Sequence, residues 1–351
     1  MTDPTSFSSS PSNAPPTTLA ERPAPTRVVV ATHGHCFDGL CSAVMFTRLL
    51  HHVMPGRTLS FSYHAAGYDP GQNGVDPALL VGDVNAILDF RFTSAPALTW
   101  YFDHHVSAFV TAADRADYDS KAAEAGASPT RKMFHDGSYS SCTKLIADVG
   151  RARFDLDSTP MAELVQWADV IDSAGFPNAE MVVARREPEL QLMTVIEHMG
   201  GDAFLSATVP RLLSEPLAEV ARSADIRAAY EPLERTRGLF IDQVKRHAVQ
   251  KGPVVCVDLT DETIDVAAKF VTYALYPTSA YSVVATRSKS KCKISVGYNP
   301  WSGVPRKHHI AAICERYGGG GHPVVGAVSV PASDVATAQR ILHEITDALA
   351  T

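Results

Sequence analysis

Residues 101–109 read YFDHHVSAF, an aspartate and two adjacent histidines directly behind an apolar run. Carboxylates and imidazoles bind divalent cations, and an imidazole also exchanges protons near neutral pH. If the strand continues, His104 and His105 point to opposite faces; if a helix begins, they diverge by about 100°. Alone, Asp103, His104 and His105 read better as a strand ending in a solvated polar turn. Other stretches shift that balance. HGHCFDG (33–39) puts His33, Cys36 and Asp38 in one tight bend, with Gly39 letting the backbone turn the corner, though a His and an Asp five apart in a loop are by themselves ordinary surface residues. DVNAILDFRF adds Asp83 and Asp89; an aspartate closing a buried strand either caps the next turn or binds something. LVQWADVIDSAGF (164–176) adds Asp169 and Asp172, three apart on one helical face, where negative charge opposes the dipole of a helix C-terminus.

His33, Asp38, Asp89, Asp103, His104, His105 and Asp172 all fall at element ends in one half of the chain. Carboxylates with imidazoles suit a hard-to-borderline cation such as Mn²⁺. An aspartate can also bridge two ions about 4 Å apart, the arrangement that generates a hydroxide and clamps a phosphoryl group. One ion would need only about three or four of these side chains, so seven candidates argue for two. A second feature is RYGGGGHPVVGAV (316–328). One glycine suffices to end a helix, and a run of four lets backbone N–H groups cradle an anion. A flexible linker is the alternative, disfavoured because a strand begins two residues later. His322 can donate to a phosphate or carboxylate, and Arg287, Arg306, His308 and His309 supply local positive charge.

The elements that must position these groups alternate between strand and helix. RVVVATHG (27–34) is a buried parallel-strand run, followed by DGLCSAVMFTRLLHHV with helical spacing. Strands are expected at 58–65, around Ala86–Asp89 and ending at Asp103, with polar ends at His33, Asp89 and Asp103. In open α/β sheets ligands bind at the carboxyl ends of strands. Residues 111–138 read as loop, then helices at 140–150 and 159–173 and a charged helical stretch over 186–250. The β-α rhythm returns with strands at 253–259, 281–286, 292–298 and 324–330, helices at 264–276 and 307–318, and a closing helix in ASDVATAQRILHEITDAL.

At 351 residues the chain suits two domains, and 45% hydrophobic with 20% charged residues is ordinary globular composition. A net charge of −7 gives no general attraction for a polyanion, which excludes long duplex nucleic acid as a partner and leaves a short anionic substrate in a local site. Cys36, Cys41, Cys142, Cys256, Cys292 and Cys314 form no C-x-x-C pair, a pattern suited to a reducing cytoplasm. No run of 18 apolar residues exists to span a membrane, and the Ser/Pro/Thr-rich residues 1–25 read as a disordered tail.

The strand-ending DHH, the His-and-Asp DG turn, the strand-end Asp89 and the GGGGH together resemble the DHH phosphoesterases with a C-terminal DHHA1 domain, in order and spacing over residues 27–351. That family includes oligoribonucleases, nucleotide bisphosphate phosphatases, cyclic-dinucleotide phosphodiesterases and single-strand exonucleases, with distant relatives acting on pyrophosphate or polyphosphate. The resemblance implies a two-domain α/β fold: a parallel-sheet DHH catalytic domain over 26–185, a helical connector over 186–250 and a smaller mixed-sheet DHHA1 substrate-binding domain over 251–351. It implies two Mn²⁺ ions, with Mg²⁺ or Co²⁺ as substitutes, held by His33, Asp38, the bridging Asp89, His104 and Asp172, with Asp169 as fallback. It gives catalytic roles to His105, which meets the phosphate, to Asp103, which supports the histidines, and to Asp38. Gly318, Gly319, Gly320, Gly321, His322 and Arg287 would hold substrate.

The usual first motif of that family carries two aspartates. Here Cys36 stands where a carboxylate is expected, similar to an H-x-x-C-x-D-G subgroup sometimes labelled exopolyphosphatase-related, which makes Cys36 a further candidate ligand. A thiol in place of a hard oxygen weakens one metal site or changes its metal. The implied activity is Mn-dependent hydrolysis of phosphate esters of nucleotides or short oligonucleotides. The alternatives are a polyphosphate or pyrophosphate hydrolase and a non-catalytic nucleotide-binding protein. A homodimer is compatible with all three.

Overall fold

The structure, a computed structural model, describes residues 24–67, 74–125, 131–263 and 270–351. The expected tail falls almost wholly on residues 1–23, outside the described residues. So does the 264–269 part of the helix expected over 264–276.

The first half of the chain builds a five-stranded sheet from β1 (Thr26–His33), β2 (Leu59–Ala66), β3 (Val84–Leu88), β4 (Trp100–Asp103) and β5 (Lys132–His135). Its order is β2-β1-β3-β4-β5 and every pairing is parallel. Strands in such a sheet are covered on both faces, and the alternation of side chains divides them accordingly. Val28 and Val30 of β1 and Trp100 and Phe102 of β4 enter one core; Val29, Ala31 and Tyr101 enter the other. The first core is closed by α1 (Phe37–Val53), α3 (Cys142–Phe154) and α4 (Ala162–Asp172). The second is closed by Phe90, Phe92 and Tyr118 of α2 (Ala112–Ala125).

Residues 111–138, expected as loop, therefore hold α2 and the edge strand β5. The helical period of α2 is faint because only Tyr118 and Ala125 of its fourteen residues are buried. β5 has four residues, KMFH, too few to show alternation.

After the short α5 (Ala179–Ala184), helices α6 (Pro188–Met199), α7 (Asp202–Ser214), α8 (Leu217–Ala221) and α9 (Ala224–His247) fill most of the stretch expected as helical over 186–250, whose last residues, from Ala248, begin a strand. Much of it packs on the first sheet's helices. Leu190, Ile196, Leu205, Val209, Leu217 and Tyr230 all enter the same core as α1. The end of α9, through Phe240 and Val244, packs on the second sheet, and Val183 of α5 joins the same cluster.

That sheet is mixed, in the order β10-β11-β9-β8-β7-β6. It comprises β6 (Ala248–Lys251), β7 (Val254–Thr263), β8 (Tyr281–Arg287), β9 (Lys291–Tyr298), β10 (Gly320–His322) and β11 (Val325–Pro331). Only β7 and β8 run parallel. One face is covered by α11 (Ile310–Glu315) and α12 (Val335–Leu349); α10 (Val271–Leu275) lies with the end of α9 on the other. The fold is thus α/β with a parallel and a mixed sheet. Among the described residues no helix is long and apolar enough to cross a membrane.

Candidate metal centre

The chain leaves the carboxyl end of β1 toward β2 and that of its neighbour β3 toward β4, in opposite directions, so the connections diverge between β1 and β3. In doubly wound sheets that switch point is where ligands bind. His33 ends β1, Asp89 follows β3, and Asp103 ends β4, so all three lie at the crevice.

Asp38 sits in the first turn of α1 and is buried. Its Oδ2 accepts from the Cys142 N–H at 2.7 Å and its Oδ1 from the Thr143 N–H at 3.0 Å. These are orphan donors at the N-terminus of α3, where the helix dipole favours a negative charge. Asp89 has φ 53, in the left-handed region that non-glycine residues seldom occupy. Both of its carboxylate oxygens are buried with no hydrogen-bond partner. An outlier backbone carrying an unsatisfied buried charge is what an ion site demands and a folding core does not.

Asp103 has the opposite character. It accepts from the His104 N–H at 2.9 Å, from the His105 N–H at 3.3 Å, from His105 Nδ1 at 2.7 Å and from the Tyr101 hydroxyl at 3.0 Å. It is a support that fixes both histidines. His104 Nδ1 donates to the Tyr139 carbonyl at 3.0 Å, which turns Nε2 toward the carboxylates. That Nε2, buried and without a hydrogen bond, lies 3.3 Å from Asp172 Oδ2, 3.5 Å from Asp89 Oδ1 and 3.9 Å from Asp38 Oδ2.

Three groups of potential ligand atoms result, the atoms within each lying within 4.8 Å of one another: His33, Cys36 and Asp89; Asp89, His104 and His105; Asp38, His104 and Asp172. Asp89 and His104 each belong to two groups, so the three form one chain of donors. The donor types and the orphaned Asp89 and His104 atoms fit divalent cations. Burial and the neighbouring Asp89 push both Asp38 and Asp172 up from the usual carboxylate range. Burial works on Asp89 in the same sense, but His104 and His33 outweigh it and hold Asp89 low. For His104, burial opposes the charged ring, yet Asp89, the Tyr139 carbonyl and Asp38 raise it to about 10. Without a cation, a protonated imidazole is the charge that balances the pocket.

Asp169 does not join. Its carboxylate takes hydrogen bonds from Ser140 and from Lys144 Nζ, the latter at 3.1 Å, one helical turn away from the crevice. Asp83 bonds the Arg27 N–H at 2.8 Å near the opposite end of the strands. Strand register sets Arg287 apart from the glycine run. His322 pairs with Val325, Val325 with Gly297 and Gly297 with Ser282, so Arg287 lies five residues along β8 from the level of His322. That is about 17 Å at the usual rise of a strand.

The glycine run is explained largely by local packing. Gly318 has φ +74; a Cβ at Gly319 would sit 2.2 Å from the Ala327 carbonyl oxygen, and one at Gly321 2.2 Å from that of Val325. A Cβ at Gly318 or Gly320 would meet nothing within 4 Å, and of these two only Gly318 has a positive φ. Sequence reasoning missed Tyr101, which braces Asp103. The signal was present, since residues two apart on a strand share a face. It also missed the Tyr139 carbonyl and the Cys142 and Thr143 amides, which as backbone groups leave no trace in residue types.

No family model matches the chain, and no curated protein matches it. Solved structures do. A pGpG-specific phosphodiesterase, PggH of Vibrio cholerae, superposes with a TM-score of 0.64 at 17% identity over 92% of this chain and 99% of that one. A DHH domain described as a member of a family of ribosomal proteins gives 0.57 at 12% identity over 91% and 86%. The chain has the DHH fold. RecJ of Thermus thermophilus, solved in complex with Mn²⁺, gives 0.50 at 11% identity over 92% of this chain and 52% of that longer one. The DHH fold places the donor chain at the switch point of its parallel sheet.

Proposed function

We propose that this chain is a Mn²⁺-dependent phosphoesterase that hydrolyses phosphate esters of nucleotides or short oligonucleotides. The observation that carries this reading is the donor chain through Asp89 and His104, with buried ligand atoms that the fold leaves unpartnered. His33, Asp38, Asp89, His104 and Asp172 would hold two ions. When bound, such ions activate a water and stabilise charge on a transferring phosphoryl group. His105, locked by Asp103, contacts a phosphate oxygen at the half-exposed rim. The glycine run and His322 contribute from the second domain, where His322 is exposed. The neighbours support the chemical class: one is named for a dinucleotide substrate, another was solved with Mn²⁺. The net charge of −7 favours a short substrate over a long polyanion. Six free cysteines suit a reducing cytoplasm.

The test is Mn²⁺-dependent release of phosphate or mononucleotide from a panel holding dinucleotides, nucleotide bisphosphates and inorganic polyphosphate. Asp89→Ala and His104→Ala should abolish turnover with the circular dichroism spectrum unchanged. Turnover surviving either substitution overturns the assignment of this centre.

A further inference from the structure

We infer that the metal centre is chemically asymmetric: Cys36 is a thiolate ligand, and the His33–Cys36–Asp89 locus takes a borderline-soft cation of the Zn²⁺ or Co²⁺ type. The Asp38–His104–Asp172 locus keeps a hard one such as Mn²⁺. This rests on the reading above that the centre binds metal, and it adds which metal each locus prefers. The donors differ in kind. The first locus offers one nitrogen, one sulfur and one oxygen, all within 4.8 Å; the other offers one nitrogen and two oxygens. Zn²⁺ accepts that N/S/O mixture, whereas carboxylate-rich sites suit Mn²⁺ and Mg²⁺.

Two features of Cys36 point the same way. It occupies the N-cap position of α1, where Ser, Thr, Asp or Asn would stabilise the helix, and its side chain makes no capping hydrogen bond. The chain thus forgoes a cap at the residue facing the pocket. Cys36 is also half-buried, whereas Cys41, Cys142, Cys256, Cys292 and Cys314 are buried and join no ligand group among the described residues. Asp89 is the independent witness. It is fully buried, both oxygens lack hydrogen-bond partners, and it lies within ligand distance of Cys36 on one side and His104 on the other. When a cation binds, the metal–sulfur bond forms as the Cys36 S–H proton passes to solvent.

The experiment uses the full chain stripped by chelation and titrated with Co²⁺, read by near-ultraviolet sulfur-to-cobalt charge transfer and by equilibrium dialysis. The expected result is a charge-transfer band that saturates at one Co²⁺ per chain while further Co²⁺ binds without increasing it. Because Mn²⁺ binds more weakly than Co²⁺ at any given site, Mn²⁺ added in large excess should displace the silent ion first and leave the band in place. Cys36→Ser keeps a good N-cap and should still bind cobalt, but without the band. Its affinity at that locus should fall by at least the roughly 10–100-fold that loss of even an outer-shell partner costs. Cys36→Asp should bind without the band and prefer Mn²⁺ over Co²⁺ more than the parent does. Cobalt bound by the parent with no band, or a band that survives in Cys36→Ser, overturns the inference and leaves the metal reading intact. A parent chain that binds neither Co²⁺ nor Mn²⁺ overturns both.

Discussion

The histidine-rich strand ends of the first sheet and the glycine run of the second are the two most conspicuous stretches of the sequence, and folding treats them differently. Three of the four glycines have local reasons to be glycine: a positive φ at Gly318 and Gly321, and a close approach to β11 at Gly319 and Gly321. The strand ends leave a remainder that folding does not explain. Asp89 and His104 are buried with polar atoms that face one another as charges but have no hydrogen-bond partner among the described residues. An unusual residue is evidence of function only after its structural reasons are subtracted, and the subtraction leaves more at the parallel sheet than at the mixed one.

The largest effect expected from probing this contrast is at Asp103. Its carboxylate accepts from four donors and orders both histidines without lying in a ligand group. Asp103→Asn keeps the shape but removes the negative charge on which His105 Nδ1 and the His104 and His105 amides converge. Turnover should fall roughly 10–100-fold, with a smaller loss of Mn²⁺ affinity, because the substitution acts through the orientation of His104 and His105. Steady-state kinetics at saturating Mn²⁺ reads this; an unchanged rate would make Asp103 a purely structural residue.

The unsatisfied pocket also predicts a pH dependence. The raised His104 stabilises the metal-free fold below the ordinary histidine pKa of about 6.5, and that contribution fades as pH rises through about 10. Asp38 and Asp172, raised by burial and by Asp89, likewise hold protons above the usual carboxylate range. A cation must displace these protons, so Mn²⁺ affinity rises with pH, by about tenfold per unit for each proton released. Calorimetry at neutral pH in two buffers of different ionisation enthalpy should show proton release. Binding heats that match in the two buffers would mean the groups are already deprotonated.

Much of this was legible in the sequence because the functional side chains sit where strands and helices end. His33, Asp89, Asp103 and Asp172 could each be placed at an element terminus from hydrophobic runs alone. Continuous apolar runs in β1 and β4 and helical spacing in α1 located the frame. The runs could not say which aspartates turn inward. Asp169 and Asp172 share a helical face, but Lys144 and Ser140 take the first and the crevice takes the second. For the helices within 186–250, helical periodicity reports that a face is buried and not which core buries it. The position of Arg287 depended on strand register, which pairing decides.

The glycine run gives the next contrast. Ala at position 319 or 321 drives a Cβ into the β11 backbone and should cost about 1–3 kcal/mol. A Cβ at 320 meets nothing within 4 Å. Gly320→Ala should therefore change stability by less than about 0.5 kcal/mol. A several-fold rise in KM there, with kcat and melting temperature unchanged, is what a substrate approaching that backbone predicts. If KM also stays unchanged, the run serves folding alone.

The smallest effect tests whether the two regions are coupled. The indole N–H of Trp301, after β9, donates to the Phe176 carbonyl at 2.8 Å, four residues beyond Asp172. Trp301 is itself held: its N–H donates to Asn299 Oδ1 at 3.1 Å, and Phe270 packs edge-on against its ring at 5.5 Å. Asn299 is buried and donates to the Pro277 and Ser279 carbonyls at 3.1 and 2.9 Å, so the second domain anchors the tryptophan that braces the loop behind a candidate ligand. Trp301→Phe removes one neutral hydrogen bond and keeps an aromatic ring, a change of about 1 kcal/mol. If the brace positions Asp172, that energy appears as about fivefold weaker Mn²⁺ binding. If it merely holds the domains together, the melting temperature falls and Mn²⁺ affinity does not move. The second outcome would mean that the mixed sheet contributes nothing to the placement of the metal ligands.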